Sequence, residues 1–129
     1  MANEIVCTYT GDTCVSMSKD GVKDTLHTEH NDKHEHMTPG EMLVAALGAC
    51  TLTMMSVVAQ KYGHNMDGTK IALSSVFGAN AGGLEEVHLH ITFPQGTSED
   101  MRKRYLGVVN LCPVHKSLNP AIKFSVDAE

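Results

Sequence analysis

The first twenty residues alternate in the two-residue period of a β-strand. Two alternating sets stand out: Ile5, Cys7 and Tyr9, then Thr13, Val15 and Met17. Gly11-Asp12 separates the two sets, which predicts an antiparallel hairpin, and Lys19-Asp20-Gly21 follows as a turn. The charged segment 22–37 has no clear period. We predict a loop there, with at most one short strand.

A run of 18 uncharged residues, from Met42 to Ala59, predicts a long helix. Just before it, the sequence Thr38-Pro39-Gly40-Glu41 supplies an N-cap, a proline at the first helical position and a glutamate that closes a capping box. Gly63 supplies a left-handed terminator after Tyr62. The helix should therefore run from Pro39 to about Tyr62, a length of about 35 Å.

The same run is near the lower length limit for a membrane span. Alanines and four small or polar residues dilute it, however: Gly48, Thr51, Thr53 and Ser56. A helix that is apolar all round in a soluble chain must be buried all round. A domain of 129 residues can hardly enclose such a helix alone. We therefore expect a partner subunit to cover part of it, and no membrane insertion.

The second half of the chain predicts another hairpin and a second helix. Residues 71–77 and 87–93 alternate around the glycine-rich turn 78–83. This pattern is typical of a half-buried antiparallel hairpin. Thr97 and Asp100 then have capping-box spacing, which predicts that helix two begins there and continues towards Asn110.

The last thirty residues predict a short helix and a closing strand. Cys112-Pro113 marks a break and the start of a fresh helix, which should end before Asn119-Pro120. The segment 122–126 alternates as a strand. The order ββ–α–ββ–α–β predicts a single α+β domain over residues 1–129, an antiparallel sheet with a long central helix and a second helix.

Composition narrows the range of functions. Ten Lys and Arg against fifteen Asp and Glu give a net charge of −5, and the chain has only three Phe, three Tyr and no Trp. It therefore lacks the charge and the stacking platforms of a nucleic-acid binder. No basic segment precedes an apolar stretch at the N-terminus, so we expect no signal peptide and a cytoplasmic location.

The four cysteines are the main candidates for chemistry. They are too few and too scattered for a disulfide scaffold, and none forms a C-x-x-C pair. Cys7 and Cys14 lie on adjacent predicted strands and are interpreted as packed structural thiols. Cys50, in the long helix, is either a packed core thiol or a nucleophile. Cys112 precedes Pro113, where the N-terminus of a short helix, with His115 and Lys116 close by, would favour a thiolate.

Two motifs carry a resemblance to a known family. The segment from Thr38 to Thr51, TPGEMLVAALGACT, resembles the first-cysteine helix of the OsmC/Ohr family, the osmotically induced and organic hydroperoxide resistance proteins. The segment from Cys112 to Leu118, CPVHKSL, is similar to its second-cysteine motif. A predicted β-hairpin separates the two motifs, as in the family.

The resemblance implies a thiol peroxidase for organic hydroperoxides, built as an intertwined homodimer with its active sites at the subunit interface. Cys50 would attack the O–O bond and become a sulfenic acid, and Cys112 would resolve it to a disulfide. Apolar walls formed by Leu47, Met54 and Met55 would favour alkyl or lipid hydroperoxides. A dithiol, such as that of a lipoylated protein, would reduce the disulfide. No cofactor and no metal are expected.

Two positions depart from the family pattern. The family has an arginine beside the thiolate in an R-D-G turn, where this chain has Lys19, so Lys19 would have to supply the positive charge without the planar fork of arginine. The Ohr-type glutamate after the helix-opening proline is replaced by Gly40, and Glu41 follows. Glu41 lies about 13.5 Å from Cys50 along the helix, so it could act only across a dimer. Its capping role is the favoured interpretation.

A buried thiol needs such a positive neighbour, because burial raises its pKa above the ordinary value of about 8.5. Lys19 is the best candidate. The only arginines, Arg102 and Arg104, fall on helix two, where we expect a solvated face.

Two alternatives stay open. The thiols could pack without turnover while an interface pocket holds a small apolar ligand. The histidines could also bind zinc or copper. His27, His30, His34 and His36 share one loop with acidic residues, and His88 and His90 share one face of a strand. A solvated polar loop is the simpler interpretation of the first group.

Overall fold

The computed structural model describes residues 4–129. The chain divides into two compact units, the first ending at Leu43 and the second running from Val44 to Glu129. Each unit carries one three-stranded sheet. The α+β class predicted from the sequence is confirmed. The single sheet that we expected is instead two separate sheets.

The first unit holds the predicted N-terminal hairpin. Strands β1 (Ile5–Gly11) and β2 (Cys14–Lys19) are antiparallel, and β3 (Leu26–Thr28) adds the one short strand of the following segment. The hairpin turns at Asp12 and Thr13, one residue later than predicted, and both have positive φ. The Asp12 carbonyl accepts a hydrogen bond from the Asn31 side chain at 2.8 Å, which helps to fix this uncommon conformation.

Glu29 organises the segment after β3. Its side chain is buried, and Oε1 accepts hydrogen bonds from the backbone N–H groups of Glu35 at 3.0 Å and His36 at 2.7 Å. The Glu29 backbone N–H also donates to the Met37 carbonyl. The sequence predicted a solvated loop, but this carboxylate satisfies backbone donors that would otherwise lack partners.

The long helix α1 spans Pro39–Tyr62, as predicted. Thr38 Oγ1 accepts from the Glu41 N–H at 3.1 Å, and the Glu41 carboxylate accepts from the Thr38 N–H at 2.9 Å. This closed capping box lowers the pKa of Glu41, mainly through the backbone hydrogen bond with Thr38. Gly63, with a φ of 62°, ends the helix.

Only one side of α1 is buried within the chain. The buried positions lie three or four residues apart: Val44, Leu47, Gly48, Thr51, Met55 and Ala59. On other sides Ala46, Ala49, Thr53 and Val57 are exposed. By length and composition α1 could cross a membrane, and a third of its most apolar window is buried. The core helix of a soluble protein meets the same description, and α1 supplies core residues here.

Gly48 allows α1 to approach the second sheet closely. A Cβ at this position would lie 2.6 Å from Cδ1 of Leu73, a distance that real Cβ contacts do not reach. A side chain at Gly48 would therefore force the Leu73 side chain to shift.

The second unit contains β4 (Lys70–Phe77), β5 (Leu84–Thr92) and β6 (Lys123–Ala128), in the spatial order β4-β5-β6. The β4–β5 hairpin is antiparallel, as predicted, whereas β5 and β6 are parallel. The expectation of an entirely antiparallel sheet is thus wrong for this pair. A crossover containing helices returns the chain to the same end of the sheet before β6 begins.

That crossover contains α2 (Glu99–Leu106), a short 3-10 turn (Val109–Leu111) and α3 (Pro113–Lys116). Ser98, not Thr97, caps α2, because its hydroxyl accepts from the Met101 N–H at 3.2 Å. The Thr97 hydroxyl instead donates to the Pro94 carbonyl. Helix two also ends at Leu106, earlier than predicted, because Gly107 follows and the chain tightens into the 3-10 turn.

The core of the second unit lies on one face of β5. Val87, Leu89 and Ile91 alternate inward and are almost inaccessible to water. They belong to one apolar cluster with buried residues of α1 and the crossover, including Leu47, Met55, Tyr105 and Cys112. This core therefore anchors both of the elements that carry the candidate thiols.

Candidate functional site

The second unit brings Cys50 and Cys112 together. Cys50 is half-buried near the middle of α1, and Cys112 is fully buried at the N-cap of α3. The two thiols lie close enough for Cys50 to raise the pKa of Cys112, although 62 residues separate them along the chain. Both are free thiols. The second unit thus places near each other the two thiols that the resemblance pairs as a disulfide.

The electrostatics of Cys112 differ from the expectation. Burial is the main effect that raises the pKa of the Cys112 thiol, and the hydrogen bond with Cys50 raises it further. The backbone groups of His115 and Val114 act in the opposite direction without offsetting these effects. The N-terminus of α3 lowers the pKa of Cys112, as predicted, but burial outweighs this effect, so Cys112 is not a thiolate. At neutral pH Cys112 is therefore a protonated thiol.

The surroundings of Cys50 are apolar. Leu47 and Met54 lie one turn away on either side of it, so their side chains share its face of α1. Met54 is half-buried, whereas Leu47 and Met55 belong to the fully buried core. Of the three residues predicted to form apolar walls, only Met54 is both one turn from Cys50 and partly accessible to solvent.

Lys19 and Glu41 belong to the first unit. Lys19 is the exposed last residue of β2, and its carbonyl accepts the Val22 N–H in the predicted turn. Glu41 forms the capping box with Thr38. The roles of these two residues in chemistry stay predictions.

We expected the two arginines of α2 to lie on a solvated face. Both instead contact aromatic rings. The guanidinium of Arg104 lies 4.2 Å from the centre of the Tyr62 ring, and it donates to the Tyr62 hydroxyl at 2.7 Å and to Asp100 at 3.0 Å. Arg102 is half-buried over the Phe93 ring. Both side chains therefore pack against aromatic surface that the sequence pattern did not associate with them.

The two remaining cysteines lie in the first unit. Cys7 is exposed on β1, so it is not packed within the chain, contrary to our interpretation. Cys14 is half-buried and interacts with the Asp12 carbonyl and the Asn31 side chain. Neither is bonded to the other, since Cys7 is opposite Met17 in the register.

The histidines are arranged in two ways. In the loop, the rings of His27 and His36 lie 5.2 Å apart. On β5, His88 contacts Ser125 and Asp127, and His90 contacts Asp127 and Glu129. Within residues 4–129 no three His, Cys, Asp or Glu side chains form a group that could hold a metal ion. The alternative of a metal site thus gains no support. The contacts of His88 and His90 with β6 follow from the parallel pairing of β5 and β6, which the sequence pattern did not predict.

The His90–Asp127 pair predicts a pH-dependent stability. The hydrogen bond with Asp127 raises the pKa of His90, with a smaller effect of Glu129, and the same bond lowers the pKa of Asp127. The pair therefore stabilises the fold fully only above the ordinary pKa of Asp, 3.8, and below that of His, 6.5. We expect Asp127→Asn to lower Tm most at about pH 5 and least at about pH 8.5, because deprotonation of His90 removes the favourable pairing.

Thermal denaturation across this pH range measures the difference. Asp67→Asn is a matched control, since Asp67 is an exposed aspartate outside this cluster. A Tm difference between wild type and Asp127→Asn that is the same at both pH values would contradict the pairing.

Comparisons with known proteins agree with this geometry. The family model for OsmC-like proteins matches residues 30–127. A crystal structure from Psychrobacter arcticus 273-4, described as an osmotic stress induced and detoxification response protein, superposes with a TM-score of 0.90 at 27% identity, over 97% of this chain and 94% of that one.

Other solved structures share the fold at lower identity. An OsmC-like protein from Mycoplasma pneumoniae has a TM-score of 0.83 at 21% identity, over 98% of this chain and 94% of that one. The organic hydroperoxide resistance protein OhrB of Bacillus subtilis has a TM-score of 0.68 at 16% identity, over 98% of each chain. A search of the curated proteins found no match.

The fold thus defines an α+β protein of the same architecture as the OsmC-like structures. The chain belongs to the OsmC-like protein family.

Proposed function

We propose that this protein is a thiol peroxidase that reduces organic hydroperoxides to alcohols. The observation that carries the proposal is that one unit holds the half-buried Cys50 near the buried Cys112, whose pKa Cys50 helps to raise. Relatives of the same fold are organic hydroperoxide resistance proteins, from Legionella pneumophila and Elizabethkingia anophelis among others.

The proposed reaction proceeds in two steps on these sulfurs. The Cys50 thiolate attacks the terminal peroxide oxygen, the O–O bond breaks, and the alkoxide takes up a proton and leaves as the alcohol. The resulting Cys50 sulfenic acid is attacked by the Cys112 sulfur, which forms a disulfide and releases water. An external dithiol, such as a lipoylated protein, then reduces the disulfide and is itself oxidised.

Each cysteine has a setting that suits its proposed role. Cys50 is partly accessible, so a peroxide can reach it, and Met54 provides an apolar contact for an alkyl group. Cys112 is inaccessible and protonated, so it does not compete for peroxide. Lys19 is proposed to provide the positive charge that a Cys50 thiolate requires.

We also propose a cytoplasmic homodimer. Several large apolar side chains are exposed in the single chain, including Leu43 and Val57 on α1 and Ile5 and Tyr9 on β1. Exposed apolar surface of this kind is typical of a subunit interface. Glu41 is proposed to contribute to a site only across such an interface, in addition to its capping role.

A count of free thiols by intact mass tests the proposed reaction. After one equivalent of cumene hydroperoxide, the wild-type protein should lose two hydrogens, because Cys50 and Cys112 form a disulfide. Cys112→Ser should instead gain one or more oxygens at Cys50, because the sulfenic acid has no partner. Unreacted thiols in both proteins would exclude the peroxidase and favour the alternative of an interface pocket for an apolar ligand.

A further inference from the structure

The outer face of the second sheet carries a hydroxyl, an imidazole and a carboxylate in series. His88 lies on the middle strand, β5, and its Nδ1 is 2.6 Å from Oγ of Ser125. Its other ring nitrogen, Nε2, is 2.9 Å from Oδ2 of Asp127. Ser125 and Asp127 are alternate residues of β6, so their side chains project from the same face of the sheet. The proposed peroxidase cycle uses none of these three residues.

This order of contacts prepares Ser125 to act as a nucleophile. Asp127 is ionised at neutral pH, because its hydrogen bond with His90 lowers its pKa. An ionised carboxylate only accepts hydrogen bonds, so in the neutral ring of His88 the hydrogen is held on Nε2. Nδ1 is then free to accept the hydrogen bond of the Ser125 hydroxyl. A base at this distance, held in place by a third group, is the arrangement that activates a serine.

A groove of about 370 Å³ gives a substrate access to this site. The groove residues on the outer face of the sheet are Ser74, Val76, Glu86, His88, Lys123 and Ser125. Ser125 is exposed, and Lys123 precedes it by two residues on the same face of β6. A cation there would stabilise the negative charge that develops on a carbonyl oxygen when Ser125 attacks the carbon. The subunit interface proposed above was assigned to residues of α1 and β1, which are different elements.

We infer that Ser125, His88 and Asp127 form a second reactive site, which hydrolyses small carboxylic esters. The Ser125 oxygen attacks the carbonyl carbon while its proton passes to Nδ1 of His88. The ester C–O bond breaks, and the alcohol leaves with that proton. Water then gives a proton to His88 and attacks the acyl-serine, which releases the carboxylic acid, and His88 returns the proton to Ser125.

The three residues have distinct roles in this reaction. Ser125 and His88 are catalytic residues, and Asp127 is a positioning residue that acts through His88. Val76 is the one apolar side chain among the outer-face residues of the groove, so the site suits short acyl groups. No cysteine takes part, and the inference therefore does not depend on the proposed peroxidase.

A fluorophosphonate, which phosphonylates nucleophilic serines, tests the site by intact mass and peptide mapping. In the wild-type protein the Ser125 oxygen should displace fluoride and form one phosphonate ester. Ser74 is the internal control, since it is exposed and opposite His88 on β4, whereas the His88 ring hydrogen-bonds to Ser125 and Asp127. It should stay unlabelled. His88→Gln should lower the rate of labelling by about 100-fold, because the base is lost.

Two further measurements examine turnover and the role of the carboxylate. Ser125→Ala should lower the rate of p-nitrophenyl acetate hydrolysis by about tenfold or more. Both proteins keep all four cysteines, so acetyl transfer to thiols contributes equally. Nitrogen NMR of the neutral His88 ring should find the hydrogen on Nε2 in the wild type. Asp127→Asn should remove this preference, because an amide can also donate to Nε2.

His30→Gln is the matched control for the loss of an imidazole, since His30 is exposed in the first unit, and it should leave labelling and hydrolysis unchanged. Equal labelling of Ser74 and Ser125 would overturn the site, as would hydrolysis that Ser125→Ala does not slow. Thermal denaturation shows whether His88→Gln is folded. If it is not, the comparison of Ser125 with Ser74 in the wild type decides the site.

Discussion

Replacing Cys50 with serine is expected to lower the rate of cumene hydroperoxide reduction by about three orders of magnitude or more, as when other enzymes lose their nucleophile. A serine hydroxyl has a far higher pKa than a thiol and cannot take up and release oxygen as sulfur does. Peroxide consumption, followed with a dithiol reductant in excess, measures the effect.

Two further variants serve as comparisons for Cys50→Ser. Cys7→Ser removes an exposed thiol of the first unit and should retain full activity, although Cys7 is the most accessible cysteine of the four. Cys112→Ser should be oxidised once at Cys50 and then turn over only as fast as the external dithiol reduces the sulfenic acid directly, since no internal thiol resolves it. Peroxidase activity that survives Cys50→Ser would exclude the proposed mechanism, whatever the other variants show.

Replacing Tyr105 with alanine is expected to lower the free energy of unfolding by about 3 to 5 kcal/mol. Tyr105 is 1% exposed, stacks on the Phe93 ring and hydrogen-bonds to Nδ1 of His64. It joins α2 to the segment after α1 and to the residue that follows β5. Alanine would leave a cavity at this junction and an unpaired imidazole. Urea denaturation measures the loss.

Tyr105→Phe separates the packing of the ring from the hydrogen bond. It keeps the ring and removes the hydroxyl, so we expect a smaller loss, about 1 to 3 kcal/mol, from the unpaired His64 nitrogen. Leu106→Ala is the surface control at the next position and should change stability by about 0.5 kcal/mol or less. A loss in Tyr105→Ala no larger than in this control would show that the junction does not contribute to the core.

Local signals in the sequence predicted most of the secondary structure. The boundaries of α1 follow from one capping box and one glycine, both of which act within a few residues. The parallel direction of β6 could not be predicted in the same way, because it depends on where the crossover returns the chain. The spacing of Thr97 and Asp100 predicts the cap of α2 at Thr97, but Ser98 is also a preferred N-cap residue, and only the backbone geometry distinguishes the two.

The candidate site was predictable only in part. The two cysteine motifs identified the residues that the second unit brings together. Their spacing could not show that burial outweighs the helix N-terminus at Cys112 and raises its pKa. The pairing of Arg104 with Tyr62 could not be predicted either, because it joins residues 42 positions apart. Contacts between residues so far apart in the sequence depend on tertiary packing, which a local sequence pattern does not predict.

The burial of Cys112 also affects how an external thiol would reduce the proposed Cys50–Cys112 disulfide. In the disulfide, the Cys50 sulfur would be the one that an incoming thiol can reach, so the mixed disulfide would form on Cys50 and Cys112 would depart. A leaving thiol with a raised pKa departs slowly and readily attacks again. A monothiol such as glutathione would therefore be expelled repeatedly, whereas a dithiol would close its own ring and escape. The burial of the Cys112 sulfur would thus favour dithiols over monothiols as reductants.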